Sequence, residues 1–234
     1  MHEGLIVYAN TSSRFYGIWM KYLIYLVVII GFSRSYAGSY EDFFSAVHQD
    51  DGAEISTLIR KGFDANVRDP KGEHALHLAT RDNATKVIAA LLRWDKIDVE
   101  PRNKVDESPL MLASLGGYLD TVKLLIGRGA DVNKTGWAPL HYAATRGHLD
   151  VMNLLLERSA YIDAASPNGT TPLMMAAHYG TASAVKLLLE AGADPLLKNQ
   201  QELTAIDFAQ RANRADSAEI IAAFVRARQP KGTW

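Results

Sequence analysis

The sequence predicts an all-α solenoid of stacked helix–turn–helix units joined by β-hairpin-like turns. Three observations predict it. An alanine column recurs at Ala46, Ala79, Ala113, Ala143, Ala176 and Ala209, in steps of 33, 34, 30, 33 and 33 residues. A column of large apolar residues (Phe43, Leu76, Leu110, Leu140, Leu173 and Ile206) runs three residues ahead of it. Three residues is close to one helical turn, so both columns face the same way. A second apolar run then follows about ten residues on in each unit, so every period holds two helices.

The first helix of each unit opens on segments such as HALHLAT (74–80), SPLMLAS (108–114), APLHYAA (138–144) and TPLMMAA (171–177). Ser108 and Thr171 are N-cap types, and Pro109, Pro139 and Pro172 stand at the first helical position, where a missing N–H costs nothing. The second helix carries Leu58-Ile59, Leu91-Leu92, Leu125-Ile126, Leu155-Leu156 and Leu188-Leu189, with Val122, Val151 and Val185 one turn earlier. That spacing makes an amphipathic stripe. Asn83, Gly117, Gly147 and Gly180 share a column between the two helices, and Gly62, Gly129 and Gly192 follow the second. Both columns predict left-handed helix ends. A single helix pair cannot cover its own apolar face, so each layer requires the next.

At this point the pattern resembles the ankyrin repeat family, whose signature is a period of 33 with T-P-L-H-x-A. Residues 136–169, GWAPLHYAATRGHLDVMNLLLERSAYIDAASPNG, match it along nearly their whole length. The resemblance covers about residues 40–228. It divides the chain into an N-terminal capping repeat (38–72), four central repeats (73–106, 107–135, 136–169, 170–202), a C-terminal cap (203–228) and a tail (229–234). Departures are also legible. Met111 and Met174 replace the motif histidine that His77 and His141 keep. Ala138 replaces the capping threonine, at an expected local cost of about 1 kcal/mol. The turn at 133–136 is three residues short and predicts a truncated hairpin. One residue is added near Trp94-Asp95-Lys96, where the stop glycine is lost. Gln210, Arg211 and Arg214 predict a polar outer face for the last unit.

Residues 22–32, YLIYLVVIIGF, form an uncharged run too short to span a bilayer, which needs about 20 apolar residues, but suited to a cleavable export signal. Lys21 precedes it. Ser35-Tyr36-Ala37 follows with small residues where a signal peptidase reads, so cleavage is expected between Ala37 and Gly38. Residues 1–19 make a poor leader, whereas Met20 would open a compact one. The expectation is a signal peptide over 1–37, a true start at Met20, and a periplasmic monomer with no membrane contact after cleavage.

Composition excludes several chemistries. The 234 residues carry a net charge of −1 and no Lys/Arg-rich run, which argues against nucleic acid and anionic membrane as partners. Cysteine is absent, which removes disulfides, thiolate zinc sites and a cysteine nucleophile. His74 and His77 lie beside Glu73, but without a third ligand and within the repeat columns they read as structural, as does His148. Asp50-Asp51 reads as a solvated loop cap. Asp64, Asp131 and Asp194 recur at the turns and read as turn hydrogen-bonders. No cofactor, metal or catalytic residue is expected, and the chain is not read as an enzyme.

What the family resemblance implies is a protein partner held on the concave face, by residues just before the cap and just after the first helix. In this sequence those include Arg81, Trp137, Thr145, Arg146, His178, Tyr179 and Arg211. Trp137, Arg146, His178 and Tyr179 are expected to form one patch, unless Trp137 instead plugs its shortened hairpin. The expected function is a non-catalytic scaffold or accessory protein of the periplasm, because exported bacterial ankyrin proteins accompany envelope enzymes, including peroxide-detoxifying ones. Two alternatives stand beside it: an immunity-type inhibitor of a toxic envelope-targeting enzyme, and a secreted host-interacting protein.

Overall fold

A computed structural model describes residues 38–228. The predicted export signal and the tail at 229–234 lie outside the described residues. The chain divides into two compact units, Met1–Ser45 and Ala46–Trp234. In the first, residues 38–45 are helical and belong to α1 (residues 38–48). Its aromatic rings meet edge to face, with Tyr40 4.9 Å from Phe44 and Phe43 5.3 Å from Phe44.

The second unit holds the repeats. Its helices are α2 (Gly52–Arg60), α3 (Ala75–Arg81), α4 (Thr85–Arg93), α5 (Pro109–Gly116), α6 (Leu119–Gly127), α7 (Pro139–Arg146), α8 (Leu149–Glu157), α9 (Pro172–His178), α10 (Ala182–Glu190), α11 (Ala205–Arg211) and α12 (Ala215–Arg228). From α3 onward, odd-numbered helices are the first of each pair. These pack side by side, α3 on α5, α5 on α7, α7 on α9 and α9 on α11. Ala79, Ala113, Ala143, Ala176 and Ala209 are fully buried, as are Leu76, Leu110, Leu140 and Leu173. Alanine lets the first helices approach closely, and each buried leucine contributes about 1.5–3 kcal/mol by leaving water. The second helices bury Leu91, Leu125, Leu155 and Leu188 with Val87, Val122, Val151 and Val185. Ile206 in α11, the last of the first helices among the described residues, is half-exposed.

Ser108 and Thr171 cap α5 and α9 as expected, with Pro109 and Pro172 just inside. Ala138 caps nothing through its side chain, but the His141 N–H, the donor it leaves, bonds the Ala138 carbonyl at 3.0 Å. The motif column explains itself in this geometry. His141 Nδ1 accepts from the Ala138 N–H at 3.1 Å, and its Nε2 lies 3.0 Å from the Thr170 carbonyl. Since Nδ1 must accept, the proton sits on Nε2 and is donated to the next repeat's turn. Met111 and Met174 reproduce half of this: their sulfurs accept from the Ser108 and Thr171 N–H groups at 3.3 and 3.4 Å. In the last unit Asp207 Oδ2 takes the Thr204 N–H at 2.7 Å. Among these, only the imidazole can also donate onward.

The hairpin connections are tight turns. Among the described residues there is no strand, and one isolated antiparallel bridge joins Arg68 and His74. Each full turn closes with two backbone bonds at its tip: Asp69, Asn103, Ser166 and Asn199 donate to the Glu73, Glu107, Thr170 and Leu203 carbonyls at 2.8, 3.2, 3.0 and 3.0 Å, and accept from Gly72, Asp106, Gly169 and Glu202 at 2.9, 3.1, 2.8 and 3.0 Å. Two bonds confined to the tip do not extend into a ladder. The truncated hairpin is present: residues 133–137 lack the closing bond, and Asn133 serves the neighbouring unit instead.

Three expectations are corrected. Gly180 is not left-handed, whereas Asn83, Gly117 and Gly147 are, at φ 52°, 71° and 71°. Gly180 is small for a different reason, since a Cβ there would lie 2.3 Å from the Ala144 carbonyl oxygen. Asp50-Asp51 is more than a solvated cap. Asp51 Oδ1 accepts from the Ala53 and Glu54 N–H groups of α2. Asp50, itself at φ 51°, accepts from Lys86 and Val87 at 2.9 and 3.0 Å, capping α4 of the next repeat. Arg214 is likewise less outward than expected, because its guanidinium donates back to the Gly180 carbonyl.

Candidate interaction surface

The turns after the second helices are tied together by a side-chain ladder. Asp64, Asp131 and Asp194 each accept the N–H two residues on, as their periodicity predicted, and Asp98 does the same, all at 2.8–2.9 Å. The next column reaches across repeats. Asn66 accepts from the Asp98 N–H, Glu100 from Asp131, Asn133 from Tyr161 and Asp163 from Asp194, at 2.8, 2.9, 2.8 and 3.1 Å. Burial pushes the Glu100 and Asp163 carboxyls above their ordinary values. These polar groups are consumed by structure.

The histidines are consumed too. His74 is the N-cap of α3, its Nδ1 accepting from the Leu76 N–H at 3.1 Å. Burial holds its pKa down at about 4. His77 Nε2 meets the Glu107 carbonyl at 2.9 Å, and His148 Nε2 the Leu115 carbonyl at 3.0 Å. Burial lowers the pKa of both His77 and His141. Among the described residues, no group of three or more His, Asp or Glu side chains is arranged to hold a metal ion.

The outer side of the first helices is one of the solvent-facing surfaces. Arg81, Arg146, Tyr179 and Arg211 are exposed, and Thr145 and His178 half-exposed. They sit at the C-terminal ends of α3, α7, α9 and α11. Arg81 pairs with Glu73 at 2.9 Å. Thr145 donates to the His141 carbonyl at 2.7 Å, so its hydroxyl is occupied. The His178 ring lies between Tyr179, 4.0 Å away, and Phe208 of α11, 6.0 Å away. Trp137 stands apart from these. It is half-buried before α7, edge-on to His141 at 5.2 Å, while Arg146 lies a helix length of roughly 10 Å beyond. The single patch expected from Trp137, Arg146, His178 and Tyr179 therefore resolves into two places.

Sequence reading missed a stripe. Leu112, Tyr142, Met175 and Phe208 are half-exposed on successive first helices. They were detectable, since each lies two residues after the Leu110–Ile206 column and keeps its spacing. Beside the stripe is an open cavity of about 400 Å³ lined by Arg81, Leu112, Leu115, Gly116, Tyr118, Arg146 and His148. Exposed aromatic and arginine side chains around apolar area are the usual anchors of protein interfaces.

Paired helices stacked by a shared apolar face, with their polar groups spent on caps and turns, define a repeat solenoid that presents a binding surface. Sequence models of ankyrin repeats (3 copies) match residues 43–135 and 96–166, and a model of ankyrin repeats (many copies) matches 161–209. The chain belongs to the ankyrin repeat family. It is similar to the nuclear factor NF-kappa-B p105 subunit of Gallus gallus, 32% identical over 160 residues, covering 65% of this chain and 16% of that protein. It is similar to ankyrin repeat and SAM domain-containing protein 6 of Rattus norvegicus, 34% identical over 161 residues, 69% of this chain and 14% of that protein. Alpha-latrocrustotoxin-Lt1a of Latrodectus tredecimguttatus is 37% identical over 92 residues, 39% of this chain and 6% of the toxin. The chain thus spans less than a fifth of each of these relatives.

Proposed function

We propose that the chain is a non-catalytic scaffold or accessory protein that binds one protein partner through the outer side of its first helices, in the bacterial periplasm after export. Ankyrin repeats are protein–protein interaction modules, and such proteins are generally non-catalytic. The observation that carries the reading is the half-exposed stripe Leu112, Tyr142, Met175 and Phe208, bordered by Arg146, Tyr179 and Arg211. The second helices turn Asp120, Lys123, Asp150, Asn153 and Lys186 outward, a face of ordinary solvated residues. The buried carboxylates and histidines support the same reading, since each has a cap or turn to hold.

The test is site-specific photocrosslinking in cells. A photoreactive residue at Tyr179 is expected to trap a partner that the same residue at Asn153 does not. Crosslinks from Asn153 alone would overturn the placement. The compartment rests on the uncharged run at 22–32, which lies outside the described residues. N-terminal sequencing of the protein from a periplasmic fraction is expected to begin at Gly38, and a chain that begins at Met1 in the cytoplasm would contradict it.

A further inference from the structure

The cavity beside α5 has a particular origin. At the position where the other first helices carry Arg81, Thr145, His178 and Arg211, α5 carries Leu115. At the next, where they carry Asp82, Arg146, Tyr179 and Ala212, it carries Gly116. A Cβ at Gly116 would lie 2.4 Å from the Tyr118 ring, so glycine lets that ring lie across the helix end. The result is a depression with an apolar floor of Leu112, Leu115 and Tyr118, open to solvent and of about 400 Å³.

Its two sides are cationic. Arg81 enters from α3 and Arg146 from α7. Arg81 spends one nitrogen on Glu73, at 2.9 Å, while its side chain stays 49% exposed. Arg146 is exposed and takes part in none of the ion pairs of the described residues. A planar guanidinium at the edge of apolar surface favours a carboxylate, which it can hold through two parallel bonds. A nucleic acid would need a run of such cations, and the chain's net charge of −1 does not supply one.

We infer that this depression is the specificity pocket for a protein partner's short acidic–apolar segment, an aliphatic side chain seated on Leu112, Leu115 and Tyr118 and a neighbouring carboxylate held by Arg146 with Arg81. The inference rests on the proposed protein-binding function and deepens it by naming what the partner presents.

The test uses the full mature chain and a phage-displayed library of random heptapeptides. Selected peptides are expected to share a Glu or Asp within two positions of a Leu, Ile or Met. A fluorescent copy of the dominant peptide is then titrated against variants. Arg146→Glu is expected to weaken it at least tenfold. Leu115→Arg, which places at this position the residue that α3 and α11 already carry there, fills the pocket and is expected to do the same with unchanged circular dichroism. Asn153→Ala, on the outward face of α8, leaves the peptide's affinity within twofold. Peptides without an acidic residue, or affinity unmoved by both pocket variants, would overturn the inference. In that event partner crosslinking from Tyr179 would still stand, so the two failures are distinguishable.

Discussion

The motif histidine shows how one side chain can serve two repeats. His141 accepts within its own unit and donates to the next, whereas Met111 and Met174 only accept, through sulfur, a weak acceptor. Restoring the second bond should stabilise the stack. Met111→His is expected to raise unfolding free energy by about 1 kcal/mol, the typical net value of one hydrogen bond. Urea denaturation checks it, and a loss of stability would mean that the Trp137 turn cannot present its carbonyl. His74 is the opposite case, a cap that titrates. Its native pKa is about 4 against an ordinary 6.5. The unfolded chain therefore binds a proton that the native state refuses. Stability is full above pH 6.5 and is lost as pH falls from 6.5 toward 4, by up to about 3 kcal/mol for this residue alone. His77 and His141, also lowered by burial, add in the same direction. Glu100 and Asp163, raised by burial, work the other way, since the native state takes up their protons first as pH falls. His74→Thr keeps a capping oxygen, as Thr171 does, and removes the titration. Urea midpoints measured at pH 7 and pH 5 should lie closer together in this variant than in the parent.

At the scale of elements, the helix pairs were legible because their columns repeat, while their ends were not. Leu110, Leu140 and the alanine column are buried as the period requires, and the short turn at 133–136 is where the 30-residue step put it. Gly180 misled because glycine answers two different needs, a left-handed backbone or a close approach, and a column does not say which. A substitution separates them. Gly180→Ala drives a methyl against the Ala144 backbone carbonyl, and overpacking of this kind typically costs about 1–3 kcal/mol. Gly62, which has open space around its Cβ position and a left-handed φ of 92°, should lose only about 1 kcal/mol as alanine. Thermal melts of the two variants check the order. The cross-repeat acceptors Asn66, Glu100, Asn133 and Asp163 escaped notice because Asn, Glu and Asp share one role there, and no single residue type marks the column.

For the repeat unit as a whole, each layer is stabilised by the next, so damage at the centre should spread. Leu140→Ala, in the middle of the stack, is expected to cost about 2–5 kcal/mol and to split unfolding into more than one transition. Ile206→Ala at the half-exposed end should cost less and leave a single transition. The proposed binding side was only partly legible. Arg81, Arg146, Tyr179 and Arg211 could be placed by position, because the helix end they share is set by the period. Trp137 could not, since a turn three residues short leaves its direction to local packing, and that packing turns it onto His141. The pocket at Gly116 depends on what one unit lacks relative to its neighbours, which a search for shared columns passes over.

The central claim is that this stack works by offering the outer side of its first helices to a protein. Hydrogen–deuterium exchange of the crosslink-identified partner complex tests it most directly. Slowed exchange in α5, α7, α9 and α11 and in the turns preceding them, with α6, α8 and α10 unchanged, is the predicted result. Protection confined to the second helices, or none anywhere in the repeats, would contradict it.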